Sequence, residues 1–460
     1  MAPAKLYRRR VLAILFAGVL MGALDIAIVG PALPAVQAAF LVDSRALSWV
    51  FGIYILFYIL GAPLMAKLSD RHGRRPIYIV DIGLFAIGSA MVVFSPSFQF
   101  LLIGRAVQAF GAGGILPVAS AVIGDVFPKE KRGSALGLIG AVFGLAFLLG
   151  PLLGGFLLQW SWRLLFLINL PLAGLIIWES ARVLPAPQNI HQKPLDFFGG
   201  ALLIIGLGAF AWAIGQLSVT EFTESIKSLT VLPFIFLALI CLPVFYWVER
   251  RAADPLIDPC LFVSGQIRLI STIALAAGLC EAGMVFLPVL LVVGLGVSVA
   301  DASLMLLPLV FSLIIGAPIA GRFLDRVGPK PVIQVGLLLT MAGLLLLSIR
   351  DLTLQNFYAS GVFLGLGLSA LLGAPLRYAL ISETKKGQRG AAQGLLTLFL
   401  CIGQLCGSAF VGGIAASRAS ELIGYQDALF MVAIAMGVAL LFSKALRENR
   451  PREVNLQIKD

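Results

Sequence analysis

Apolar residues dominate this chain in long runs, and polar residues gather in short breaks between them. From Val11 to Phe442 the runs last roughly 18 to 25 residues, each long enough as a helix to cross about 30 Å of hydrocarbon. The pattern predicts membrane helices near 11–33, 46–66, 77–95, 99–124, 133–158, 163–183, 196–218, 229–248, 268–293, 301–321, 331–349, 355–377, 390–415 and 427–446. An all-α membrane protein of fourteen spans is expected.

Composition agrees with this. The chain is 60% hydrophobic and 12% charged, against about 25% charged in a soluble domain, so it could not cover a water-facing surface. Its net charge of +11 would suit nucleic acid, but the placement of the charges does not. Lys and Arg collect in alternate loops: Arg8 to Arg10, Arg71 with Arg74 and Arg75, Lys129 to Arg132, Arg250 and Arg251, Arg326 and Lys330, Lys385 to Arg389, and the tail from Lys444. That is the positive-inside pattern, and it puts both termini in the cytoplasm. Met1 to Ala38 mimics a secretory signal, yet the run contains Asp25 and continues into similar spans, so it reads as a retained first helix. Cys241, Cys260, Cys280, Cys401 and Cys406 lack disulfide or metal-ligand spacing and read as packing residues. No metal site is expected. No nucleotide-binding or hydrolytic motif occurs, which points away from an enzyme and leaves an ion gradient as the source of work.

An internal repeat organises the spans. The stretch Gly61 to Pro76, with Asp70-Arg71-His72-Gly73-Arg74-Arg75-Pro76, returns 255 residues later as Gly316 to Pro331, with Asp325-Arg326-Val327-Gly328-Pro329-Lys330-Pro331. A second echo joins Arg132-Gly133-Ser134-Ala135 to Arg389-Gly390-Ala391-Ala392 at an offset of 257. Two parallel six-helix halves follow, 1–185 and 262–460 with the tail, separated by two unpaired helices within 186–261.

These motifs resemble a known family. The loop pattern G-x-x-x-x-x-x-x-x-D-R-x-G-x-(R/K)-P is similar to the signature of the major facilitator superfamily. Leu24-Asp25-Ile26-Ala27-Ile28-Val29, Trp162 to Pro171, and the flanks of the two extra helices resemble its fourteen-helix drug:proton antiporter branch, the branch of multidrug efflux transporters. The resemblance implies the major facilitator fold with two extra central helices. It also implies proton-coupled export of small amphipathic, cationic compounds by alternating access in a bacterial inner membrane. The expected partners are substrate, protons and membrane lipids, without a cofactor or nucleic acid, and a monomer is expected. A lipid or glycolipid exporter of the same fold is the alternative, suggested by the aliphatic second half. A non-transporting scaffold or sensor is a remote third reading, since no sizeable extra domain is evident.

The candidate residues fall into four groups. Asp25 is an acid about fifteen residues into an apolar helix, where a charge is costly; it reads either as a proton acceptor or as a wetted interfacial carboxylate. Glu281 stands mid-span in the first helix of the second half, as a second coupling acid or an interhelical hydrogen-bonding group. Arg105, in Arg105-Ala106-Val107-Gln108, resembles the fourth-helix arginine that the family ties to proton movement; a snorkelling arginine is the other reading. The resemblance makes Gly61, Asp70, Arg71, Gly73, Gly316, Asp325, Arg326 and Gly328 gating loops that latch the outward-open state, with Asp70 suited to a helix N-terminus. Gly140, Gly144, Gly150, Pro151, Gly154 and Gly155 resemble the fifth-helix antiporter motif, and also suit plain helix packing. Arg377 is read as a topological anchor or an anionic-headgroup contact. Asp81 and Glu179 are expected at the cytoplasmic interface.

Overall fold

The structure, a computed structural model, describes residues 2–185, 197–218, 221–252, 255, 264–384 and 389–448. Among the described residues the regular elements are helices. They run α1 (Ala2–Phe40), α2 (Ser44–His72), α3 (Arg74–Val93), α4 (Phe98–Val126), α5 (Lys129–Leu157), α6 (Arg163–Leu167), α7 (Asn169–Val183), α8 (Phe197–Gln216), α9 (Phe222–Lys227) and α10 (Leu232–Glu249). They continue as α11 (Gly265–Val285), α12 (Leu287–Leu295), α13 (Val299–Leu304), α14 (Leu307–Val327), α15 (Pro329–Leu347), α16 (Leu354–Leu372), α17 (Ala374–Ser382), α18 (Arg389–Ala416) and α19 (Glu421–Ser443).

Every predicted span is matched by a helix or a broken pair of helices. Thirteen are long and apolar enough to cross a membrane among the described residues, and the span predicted at 133–158 is α5, whose described apolar part is Val142–Leu157. Four predicted spans are broken. Three of the new starts, α12, α14 and α17, carry proline in the first two positions, where a missing N–H costs nothing and the preceding residue resists helical geometry. The fourth break, at Ile168, frees Asn169 to begin α7. Serine or threonine side chains cap α4, α11 and α16 at Ser97, Ser264 and Thr353, satisfying N–H groups that a helix start leaves open.

The chain forms two compact units. Unit 1 holds residues 1–42, 49–204 and Val299–Leu304; unit 2 holds Asp43–Ser48, 205–298 and 305–460. Each unit therefore includes one short segment from the other end of the chain, and these segments are repeat equivalents, Ser48 standing 255 residues before Ser303. Burial separates central helices from outer ones: 67% of the most apolar stretch of α4 is buried but only 22% of that of α10. On α10, Phe236, Leu239, Ile240 and Trp247 are exposed, as a helix facing lipid requires.

One expectation is overturned here. Glu179 is partly exposed and pairs with Arg10 at 3.0 Å, but Asp81 is fully buried. Counting residues from the helix start placed Asp81 at the membrane surface; α4, laid closely along α3, covers it. The described cysteines Cys241, Cys280, Cys401 and Cys406 are buried and free, while Cys260 lies outside the described residues.

Candidate functional site

In unit 1, Asp25 and Arg105 meet. Arg105 Nη1 donates to Asp25 Oδ2 at 2.6 Å, and neither side chain is exposed. Gln108 Nε2 donates to the other carboxylate oxygen at 2.7 Å, and Asn169 Nδ2 reaches the same oxygen at 3.5 Å. Ser89 Oγ accepts from Gln108 at 2.8 Å and from Asn169 at 3.4 Å. Arg105 is held from three further directions: Nε donates to the Val50 carbonyl at 3.2 Å, Nη1 to Gln108 Oε1 at 2.6 Å, and the guanidinium lies 4.2 Å from the Tyr54 ring centroid. The Phe166 ring is 5.6 Å away.

Six helices of unit 1 thus converge on one charge pair: α1, α2, α3, α4, α6 and α7. Arg105 is no snorkelling side chain, and Asp25 is no wetted interfacial one. The break at Ile168 sets Asn169 at the site, and the i, i+3 spacing on α4 puts Gln108 beside Arg105. Sequence reasoning quoted Gln108 and Asn169 within motifs but gave them no role. Ser89 and Tyr54 carried no sequence signal. A charge in so dry a place depends on its partners, although Arg105 Nη2 finds no hydrogen-bond partner among the described residues, and removing one member of the pair leaves the other stranded.

Glu281, on α11 of unit 2, is half-buried, and the Gln404 side chain of α18 hydrogen-bonds to it. The structure brings no cation to Glu281 among the described residues, so the two predicted acids have different settings. Asp25 is sealed and ion-paired; Glu281 is partly open and meets an amide.

The two copies of the repeated loop share a backbone and differ in chemistry. Gly73 and Gly328 adopt φ of 94° and 84°, left-handed values that glycine alone takes without strain, and each starts the next helix one residue on. Gly61 and Gly316 let neighbouring helices close in: an added Cβ would strike the Phe110 carbonyl oxygen in one case and Ser369 Oγ in the other. Asp70 does not cap a helix; it lies in the last turn of α2 and forms an ion pair with Arg74, the first residue of α3. Arg74 also reaches Asp125 at 3.3 Å and Ser69 Oγ at 2.7 Å, so it is the hub of the first loop. In the second copy Pro329 replaces that arginine, and Asp325 has no ion pair among the described residues. Arg71, Arg326 and Arg377 are exposed.

The fifth-helix glycines divide by neighbour. Gly150 faces Ala27 of α1, while Gly154 and Gly155 face Ser303 and Leu304 of α13. Ser303 Oγ donates to the Pro151 carbonyl at 2.9 Å. Gly144 faces open space, and nothing is described of the surroundings of Gly140. Among the described residues no three His, Cys, Asp or Glu side chains gather as metal ligands.

The family model of the Major Facilitator Superfamily matches residues 15–248 and 269–459. The chain belongs to the Major Facilitator Superfamily. Like other members, it is a membrane transporter and not an enzyme. Among curated relatives, an uncharacterised transporter of the superfamily from Bacillus subtilis, YfiU, is 34% identical over 84% of this chain and 76% of its own length. The multidrug transporter protein MdtP of the same organism is 30% identical over 88% of this chain and 76% of its own length. A triacylglyceride transporter of Mycolicibacterium smegmatis is 32% identical over 86% of this chain and 73% of its own length. In fold, the chain is similar to the crystal structure of a bacterial homologue of the human lysosomal transporter Spinster, with a TM-score of 0.67 at 17% identity, covering 96% of this chain and 98% of that one.

Proposed function

We propose that this transporter is a proton-coupled antiporter that exports amphipathic, cationic small molecules by alternating access. We place it in a bacterial cytoplasmic membrane with both termini inside, in keeping with its basic loops and bacterial relatives. The observation that carries the reading is the sealed Asp25–Arg105 pair. A proton arriving at Asp25 cancels the attraction to Arg105, and loss of that proton restores it, so the packing of six helices is tied to one protonation event. A proton crossing down about 100 mV supplies about 2.3 kcal/mol, and a pH gradient adds to it.

Because Asp25 is spent on Arg105, Gln108 and Asn169, cargo cations fall to the more open Glu281 in this reading. The multidrug-transporter relative supports small-molecule cargo. The second reading, lipid export, is supported by the triacylglyceride-transporter relative. Purified protein in liposomes, challenged with a cationic dye and with triacylglycerol, separates the two. The first reading expects dye-dependent proton release and dye transport driven by an imposed pH gradient; triacylglycerol movement without either would replace it with the second.

A further inference from the structure

Asp81 lies on α3 and takes no part in the Asp25 network or the gating loop. It is fully buried, and neither carboxyl oxygen has a hydrogen-bond partner among the described residues. Its neighbour α4 presents glycine: a methyl group added at Gly114 would fall on both carboxyl oxygens, so the carboxyl fills the notch that the missing side chain leaves.

Among the described residues no cation reaches it from a surrounding helix. On α3 itself, Arg74 is engaged by Asp70 and Asp125, and Arg75 stands six residues away at the helix start. On α4, Arg105 is bound to Asp25, and Asp125 faces Arg74. On α7, Glu179 pairs with Arg10 of α1, and Arg182 stacks on Trp178 at 3.8 Å. On α6, Arg163 points to the Ser95 carbonyl and the Trp162 ring, at the other end of α3. The titratable group that remains close is Tyr78, whose hydroxyl donates to the Ile14 carbonyl at 3.5 Å.

Unit 1 therefore buries two acids in opposite settings. Asp25 has a guanidinium and two amides; Asp81 has none. A carboxylate taken out of water without a partner costs several kcal/mol, whereas the neutral acid is accommodated. Placement adds to the contrast. Asp81, Phe85 and Ser89 recur every four residues on one face of α3, and Ser89 belongs to the Asp25 network about 12 Å along the helix. Asp81 stands between that network and the basic loop where α3 begins.

We propose that Asp81 is a second proton-binding site of unit 1, which carries a proton in this conformation and yields it when α3 and α4 part during transport. Its release step rests on the proton-coupled reading above; its protonation does not.

Infrared spectroscopy of the purified protein tests the protonation. The carboxylic C=O band of a buried neutral acid, shifted by deuteration, should be present in wild type and missing in Asp81→Asn, which matches the protonated acid in size and charge. Gly114→Ala keeps the acid but crowds it, and should move the band without removing it. No band lost in Asp81→Asn would overturn the proposal. For the release step, proton release on binding a cationic dye should fall by one proton per dye in Asp81→Asn, with part of the release remaining. A lost band with an unchanged proton count would overturn release. A wild type that frees no protons on binding dye would sink the coupling reading instead, and the infrared band would still decide whether Asp81 holds a proton.

Discussion

Arg105 and Asp25, 80 residues apart in sequence, make a 2.6 Å ion pair in which neither side chain is exposed. The pair is unlike a surface salt bridge, because water cannot compensate either partner if the other is removed. Stripping one partner from a buried pair costs about 3–5 kcal/mol. Arg105→Ala should therefore unfold at much lower denaturant or temperature than wild type. Asp25→Asn should cost less, since the amide oxygen still accepts from Arg105, although its NH2 then faces the donating amide of Gln108. Both should abolish gradient-driven transport. Unfolding in detergent micelles measures the difference, and an Arg105→Ala protein as stable as wild type would show the pair to be energetically idle.

Much of this was legible in the sequence. Run length gave the number and place of the spans because a bilayer accepts little else. What the pattern could not give was depth within the bundle. Asp81 and Asp25 both stand in apolar runs, and distance from the helix end ranked Asp81 as interfacial. Burial depended instead on Gly111 and Gly114 of α4, which let two helices close over it. The helix breaks at Phe286, Leu306 and Gly373 had local proline signals, but prolines also lie inside α1, α2, α4 and α5 without ending them. Tertiary packing decided which prolines broke a helix. Ser89 was silent because one serine in an apolar helix says nothing about its neighbours.

The loop asymmetry gives a second prediction. Arg74 ties Asp70, Ser69 and Asp125 together, and the second copy has Pro329 in its place. Arg74→Gln and Asp70→Asn should each cut transport by more than tenfold while leaving cargo binding near wild type. Asp325→Asn, which breaks no ion pair seen here, should stay within about twofold. Those factors correspond to roughly 1.4 kcal/mol or more against less than half of that. Dye-efflux rates in liposomes check this, and equal losses in all three variants would mean that the ion pair is not what distinguishes the loops.

Small residues seat the two exchanged segments. Ser303 lies on Gly154 in unit 1, and its repeat equivalent Ser48 lies on Gly412 in unit 2; a Cβ at either glycine would overlap the serine. Gly154→Ala and Gly412→Ala should each destabilise by about 1–3 kcal/mol, the usual cost of overpacking. Gly144→Ala is the control, since its new methyl meets open space and alanine favours a helix by about 1 kcal/mol. Thermal unfolding of the three variants measures this. Destabilisation by Gly144→Ala equal to that of the other two would show the glycine stripe to be sensitive along its whole length, with no special seat at Ser303.

Glu281 carries the last prediction. It is partly open and hydrogen-bonded by Gln404, so a bound cation and a proton would compete for one carboxylate. Displacing the Glu281 proton should make cation affinity rise with pH by up to about tenfold per unit, and the proton released at Asp81 adds up to as much again, until both have left. Glu281→Gln removes the direct competition, so its cation affinity should be low and its pH slope smaller by the Glu281 share. Asp25→Asn should behave differently: its carboxylate is sealed behind Arg105, so cation binding should persist with its pH slope while gradient-driven transport stops. Equilibrium dye binding across pH, measured beside transport, separates the two acids. Loss of the pH slope in Asp25→Asn with the slope intact in Glu281→Gln would reverse their assignment and make the sealed pair the cation site.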